Sequence, residues 1–154
     1  MATLTRTIGS TTTANYIEKI NQNNSQHFSQ SVVFGKQQAY NELIELWDEC
    51  QTTDWDGYNA LPIQEKTFKK TWAVIEALPL TYPLPTFGAE PDGHITLEWY
   101  RHPRWILSIS ISPEGYLYYA ALFGEDSTNG SEFFLGEIST RILNLIEQVN
   151  IQKI

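Results

Sequence analysis

The sequence predicts an α+β domain. An antiparallel meander of four or five strands should follow two N-terminal helices and precede one C-terminal helix, with the helices packed on one face. Three observations predict it. Apolar residues recur at helical spacing over residues 37–51 and 64–78. Over residues 94–100 and 104–112, apolar and polar residues alternate. The connectors between those alternating stretches are short enough to force antiparallel neighbours. Helices and strands are segregated along the chain, the mark of an α+β rather than an α/β order.

Residues 1–36 are expected to be a polar, loosely ordered arm, and residues 37–154 a single domain. "NQNNSQHFSQS" offers almost nothing to bury. Small apolar islands at Tyr16, Ile17 and Ile20, and at Val32, Val33 and Phe34, could dock elsewhere. The first helix should run from about Gln37 to Gln51, with Leu43, Ile44, Leu46, Trp47 and Cys50 on one side. The second should run from about Gln64 to Leu78 on a stripe of Phe68, Trp72, Ile75 and Leu78, with Pro79 as its stop. "LTYPLPTFGAEPDG" reads as an irregular connector or a short edge strand.

The β signal begins there. "HITLEWY", "RWILSISIS" and "GYLYYAALF" are three strands, and "SEFFLGE" is the fourth. Their turns are expected at His102-Pro103, Pro113-Glu114-Gly115 and Asn129-Gly130. A last helix, about Ile138 to Asn150, carries Ile138, Ile142, Leu145, Ile146 and Val149 on one side. The sheet face bearing Thr96, Glu98, Tyr100, Ser108 and Ser110 should stay wet.

Charge narrows the function. The formal net charge is −8, and it is uneven. Residues 41–154 hold seven basic and seventeen acidic side chains, a net −10, while residues 1–40 carry +2. Such a body repels a phosphate backbone, so direct nucleic-acid binding is not expected. The basic groups Lys66, Lys69 and Lys70, and Arg101 and Arg104, read as solvated surface. No apolar run approaches the roughly 20 residues of a membrane span. The N-terminus lacks the apolar segment of a secretory signal, so the expected location is the cytoplasm. The single cysteine, Cys50, permits neither an internal disulfide nor a cysteine-rich zinc site, and it reads as a buried structural thiol.

No nucleotide-binding glycine loop, serine elbow or zinc-protease helix is present. His27, His94 and His102 are scattered, so no cofactor and no metal is expected. "DWDGYNALPI", Asp54 to Ile63, resembles part of a calcium loop. Tyr58 stands where a fifth-position ligand is needed, and Asn59 where the turn glycine belongs. A helix–helix corner accounts for it better: Gly57 takes a positive φ, Trp55 and Tyr58 plug into the core, and Pro62 opens the second helix. In "PDGHITLEW", Asp92-Gly93 turns into a strand, and His94 and Glu98 share a strand face. Four residues separate them, roughly 13 Å, which is too far to share a proton or a metal.

"WDGYNALPI" and "DGHITLEW" together resemble a group of small bacterial proteins of unassigned function that share W-D-G-x-x-A-x-P and D-G-x-I-x-L-E-W. The likeness covers residues 54–125. Trp55, Asp56, Gly57, Ala60, Pro62, Asp92, Gly93, Leu97, Glu98 and Trp99 carry it. It implies a bacterial or phage-type source and a structural role for Trp55, Asp56, Gly57, Pro62, Asp92, Gly93 and Trp99, and it implies no activity.

The expected function is that of a small, acidic, non-catalytic binding protein that occupies a partner protein with a basic surface, as antitoxins, immunity proteins and phage-encoded inhibitors do. Glu98, Tyr100, Tyr116, Tyr118 and Tyr119 are its candidate contacts, since Tyr and Trp are enriched at binding hot spots. The alternative is a hydrolase built on Asp54, Asp56, Asp92 or Glu98, which requires those carboxylates to converge.

Overall fold

A computed structural model describes residues 30–150 of the chain, with side chains from residue 35 onward. The chain divides into two units, residues 1–35 and 36–154, and the architecture below belongs to the second. The loosely ordered arm expected at the N-terminus otherwise lies outside the described residues. The elements are α1 (Gln30–Cys50), α2 (Glu65–Ala77), β1 (Thr86–Ala89), β2 (Ile95–His102), β3 (Trp105–Ile111), β4 (Tyr116–Phe123), β5 (Asp126–Phe133) and α3 (Thr140–Asn150). The five strands form one antiparallel meander in the order β1-β2-β3-β4-β5. No helix among the described residues is long and apolar enough to cross a membrane.

Helix α1 begins seven residues before the expected Gln37. Gly35 weakens a helix by about 1 kcal/mol but does not end one, and each residue added to a formed helix gains a hydrogen bond. Ala39, Tyr40, Leu43, Trp47 and Cys50 are buried along one stripe of α1. Tyr40 stacks on Trp72 with ring centroids 4.3 Å apart, and Trp47 meets Phe68 at 5.1 Å. These two contacts join α1 to α2. Cys50 is buried, and desolvation pushes its thiol above the usual range, with Glu49 adding to the effect.

Lys36, expected at the end of the polar arm, belongs to this body. Its Nζ donates to the carbonyls of Glu76 at 2.9 Å and Leu78 at 2.7 Å. A cation at the last carbonyls of α2 answers both their unfilled acceptors and the helix dipole. Helix α2 lies against β2 and β3, and α3 lies against β2, β3 and β4. The α3 start falls at Thr140 rather than Ile138 because Ser139 caps it, accepting at Oγ from the Ile142 N–H at 3.2 Å. Ile142, Leu145, Ile146 and Val149 then face the core.

The covered sheet face is Ile95, Leu97 and Trp99 from β2, Leu107, Ile109 and Ile111 from β3, and Leu117, Tyr119 and Ala121 from β4, all buried. Fully burying an aliphatic or aromatic side chain of this size is worth about 1.5–3 kcal/mol. The short edge strand expected in the proline-rich connector is β1. That connector is tied at two points: the Trp99 Nε1–H donates to the Pro83 carbonyl at 2.8 Å, and the Tyr82 hydroxyl donates to Glu147 of α3 at 2.6 Å.

The last strand departs from expectation. It runs over Asp126–Phe133, and the turn lies at Gly124-Glu125, where Gly124 has φ 68°. Asn129-Gly130 is therefore inside β5, not at a turn. Gly130 pairs with Tyr119, and a Cβ at Gly130 would collide with the Tyr119 ring. The aromatic ring fills the gap that the glycine leaves, so a residue that weakens an isolated strand is accommodated here.

Two outcomes follow from this packing. Gly130→Val should cost about 1–3 kcal/mol in urea unfolding, because the Tyr119 ring has to be displaced from a filled site. A neutral Gly130→Val would refute that packing. The Tyr82 phenol is held above its ordinary 10.0, first by its hydrogen bond to Glu147. The stability it lends is thus complete below pH 10 and is lost as pH rises through the raised value. Melting temperatures of the parent and Tyr82→Phe should differ at pH 8 and converge in stronger alkali.

Candidate functional site

The corner between α1 and α2 is held by its own backbone. Asp54 and Asn59 sit at φ 64° and 67°, and Gly57 at 76°. Such conformations are uncommon for any residue but glycine, and Asp and Asn are the side chains that tolerate them best. The carboxylates hold the loop in this shape. Asp56 Oδ1 accepts from the N–H groups of Tyr58 at 2.8 Å and Ala60 at 3.1 Å, and Asp54 Oδ1 accepts from Asn59 N–H at 2.6 Å. The Trp55 indole N–H donates to the Leu61 carbonyl at 2.8 Å. Three details depart from the sequence reading. Trp55 is half-buried at the corner rather than plugged into the core. Tyr58 is 86% exposed, not a core plug. Pro62 precedes α2 by three residues rather than opening it; its carbonyl instead lies 3.2 Å from where a Cβ of Gly93 would be.

The two sequence motifs therefore touch. The Leu61 N–H donates to the Pro91 carbonyl at 2.8 Å, and Gly93, at φ 93°, lets the strand turn pass under Pro62. Trp99 anchors the far end of the second motif.

The open face of the sheet presents three rows across the strands. The first holds Thr96, Ser110, Tyr118 and Ser131, the second Glu98, Ser108, Ala120 and Asn129, and the third Tyr100, Ile106, Leu122 and Ser127. Among the described residues no helix covers this face. Small residues in the middle row leave a shallow depression of about 280 Å3, floored by Ser108, Ala120 and Asn129 and bordered by Ile106 and Leu122. The outer rows stand four residues apart on each strand, roughly 13 Å. Glu98 is the β2 member of the middle row, opposite Ser108.

Rings line one side. Tyr116 meets Phe133 edge-on at 5.1 Å and Tyr118 at 6.1 Å, and Tyr118 stacks on His94 at 6.1 Å. Tyr100, Tyr116, Tyr118, Leu122 and Phe133 are each between 41% and 56% exposed. Of the five expected contact residues, Glu98, Tyr100, Tyr116 and Tyr118 share this face. Tyr119 does not. It is 5% exposed on the covered face, and its hydroxyl accepts from Arg141 Nη1 at 3.1 Å. Adjacent strand residues point to opposite faces, so Tyr118 and Tyr119 could never have served together.

Beside the Tyr118 ring lies a polar cluster that strand spacing alone does not reveal. Glu90 Oε2 accepts from the hydroxyls of Ser110 at 2.6 Å and Thr96 at 2.7 Å. His94 Nδ1 lies 3.0 Å from Ser110 Oγ and 3.8 Å from Asp92 Oδ2. Asp92 Oδ1 accepts from the His94 backbone N–H at 3.0 Å. Acids at Glu90 and Asp92 with His94 two residues further, across a proline–glycine turn, are the signal that would have found it. The hydrolase reading needs Asp54, Asp56, Asp92 and Glu98 together. Asp54 and Asp56 are instead engaged by the corner backbone, Asp92 faces His94, and Glu98 pairs across strands with Thr86 and Ser108.

No family model, no curated protein and no solved structure matches this chain.

In the corner, Asp56 serves as the acceptor for two backbone N–H groups. Asp56→Ala should lower stability by about 1–3 kcal/mol, since two backbone N–H groups lose their acceptor. Asp54→Asn should cost less, because the amide oxygen can still accept from Asn59. Chemical denaturation of the two variants side by side checks the order.

Proposed function

We propose that this chain is a small, acidic, non-catalytic binding protein that occupies a basic surface of a partner protein in the cytoplasm, in the manner of an antitoxin, immunity protein or inhibitor. The observation that carries the reading is the sheet face that no helix covers among the described residues, where Tyr100, Tyr116, Tyr118, Leu122 and Phe133 stand partly exposed and Glu98 shares the face. Aromatic side chains give large contact area at low entropic cost and dominate binding hot spots. The net −10 of residues 41–154 supplies long-range attraction for a cationic partner. The likeness to small bacterial proteins sharing the two motifs fits a bacterial or phage-type source, with Trp55, Asp56, Gly57, Pro62, Asp92, Gly93 and Trp99 building the frame.

Association should be fast at low salt and slow down as added salt shortens the Debye length to about 8 Å at physiological ionic strength. With a partner captured from the native host and purified, replacing Glu98 and Tyr100 together by Ala should weaken binding at least tenfold while leaving the melting temperature nearly unchanged. An unaffected affinity would reject this face as the contact. Substrate turnover that requires Asp56 or Glu98 would replace the binding reading with the hydrolytic one.

A further inference from the structure

We infer that Glu90, Asp92 and His94 form a binding site for one divalent transition-metal cation. The ligand set comes from a single closed turn. Glu90 N–H donates to the His94 carbonyl and Gly93 N–H to the Glu90 carbonyl, both at 2.9 Å, so three alternate residues are drawn to one side. One carboxylate oxygen from each acid and a ring nitrogen of His94 all lie within 4.8 Å of one another. Oxygen and nitrogen ligands about 2.1 Å from a common ion stand roughly 3.0–3.4 Å apart, so only a small closure is needed. Asp92, exposed at the tip of the turn, keeps Oδ1 on the His94 N–H and turns Oδ2 toward His94, 3.8 Å from Nδ1.

Two further features distinguish the cluster from acidic surface. The half-buried Glu90 carboxylate is oriented through Oε2 by the Thr96 and Ser110 hydroxyls, and His94 is held flat against Tyr118. Outer groups that fix the first ligands in this way are a regular part of metal sites. Moreover, among the described residues no lysine or arginine forms an ion pair with Glu90 or Asp92, and the basic group set beside Asp92 is His94 itself. A divalent ion would neutralise both carboxylates. The imidazole nitrogen selects among ions: it favours zinc, copper, iron or nickel over calcium and magnesium, which prefer oxygen alone. Three protein ligands leave further coordination positions for water. This inference is independent of the partner-binding reading.

The test uses the full chain stripped with EDTA and titrated calorimetrically with ZnCl2 and, separately, MnCl2. One ion per chain should bind, zinc more tightly than manganese, following the usual order of divalent affinities. Glu90→Gln keeps an acceptor for both hydroxyls and Asp92→Asn keeps one for the His94 N–H, so both should fold as the parent does by circular dichroism. Each of these, and His94→Ala, should weaken zinc binding by about tenfold or more. In proton spectra, substoichiometric Mn2+ should broaden the ring signals of His94 before those of His27 and His102. The inference is overturned if no single-ion uptake occurs, if uptake survives all three substitutions, or if His94 broadens no earlier than the other two histidines.

Discussion

A single backbone hydrogen bond, from Leu61 N–H to the Pro91 carbonyl, joins the helical corner to the sheet. Much of the structure depends on the geometry that makes it possible. The corner needs three residues at positive φ and two aspartates with their oxygens turned on the local backbone. The strand turn needs a residue without a side chain at Gly93, where a Cβ would stand 3.2 Å from the Pro62 carbonyl. Each loop is closed by its own hydrogen bonds, and each is the surface on which the other rests. Two motifs whose contact residues, Leu61 and Pro91, are 30 residues apart in the chain are one contact in space.

That contact also orders what lies beyond it. On the helical side, Ile63 N–H donates to the Cys50 carbonyl, so the chain leaves α1 and enters α2 at a fixed angle. Tyr40, Trp47, Phe68 and Trp72 then interleave, and helix α2 can lie on β2 and β3. On the sheet side, the turn beneath Pro62 sets Glu90, Asp92 and His94 at the corner of the open face. The sheet thereby acquires two unlike surfaces. One is filled by α2 and α3; the other combines rings, small residues and carboxylates without a covering element among the described residues. An apolar area of this kind is normal in scattered residues and informative when contiguous.

Much of the fold was legible because its signals are local. Period-2 alternation over residues 95–111 set both strands and both faces, so Glu98, Tyr100 and Ser108 could be assigned to the wet side in advance. Helical spacing of Phe68, Trp72 and Ile75 likewise named the buried stripe of α2. The misreadings have different causes. Asn129-Gly130 has the chemistry of a turn, yet Tyr119 on the neighbouring strand lies across Gly130 and makes that glycine a strand residue. Tyr58 has the bulk of a core residue, yet hydrogen bonds within the corner itself direct it outward.

The sequence by itself determined the class of fold, the acidic balance and which side chains can alternate outward, because burial periodicity and net charge are properties of the chain read in order. Only the tertiary structure decided which carboxylates meet. Asp54 and Asp56 are drawn to backbone N–H groups within the corner, while Glu90, which no strand pattern marks, reaches Ser110 twenty residues away. Hydrogen bonds and close approaches between side chains depend on where the chain folds back, and a linear pattern records spacing along the backbone, not distance across it.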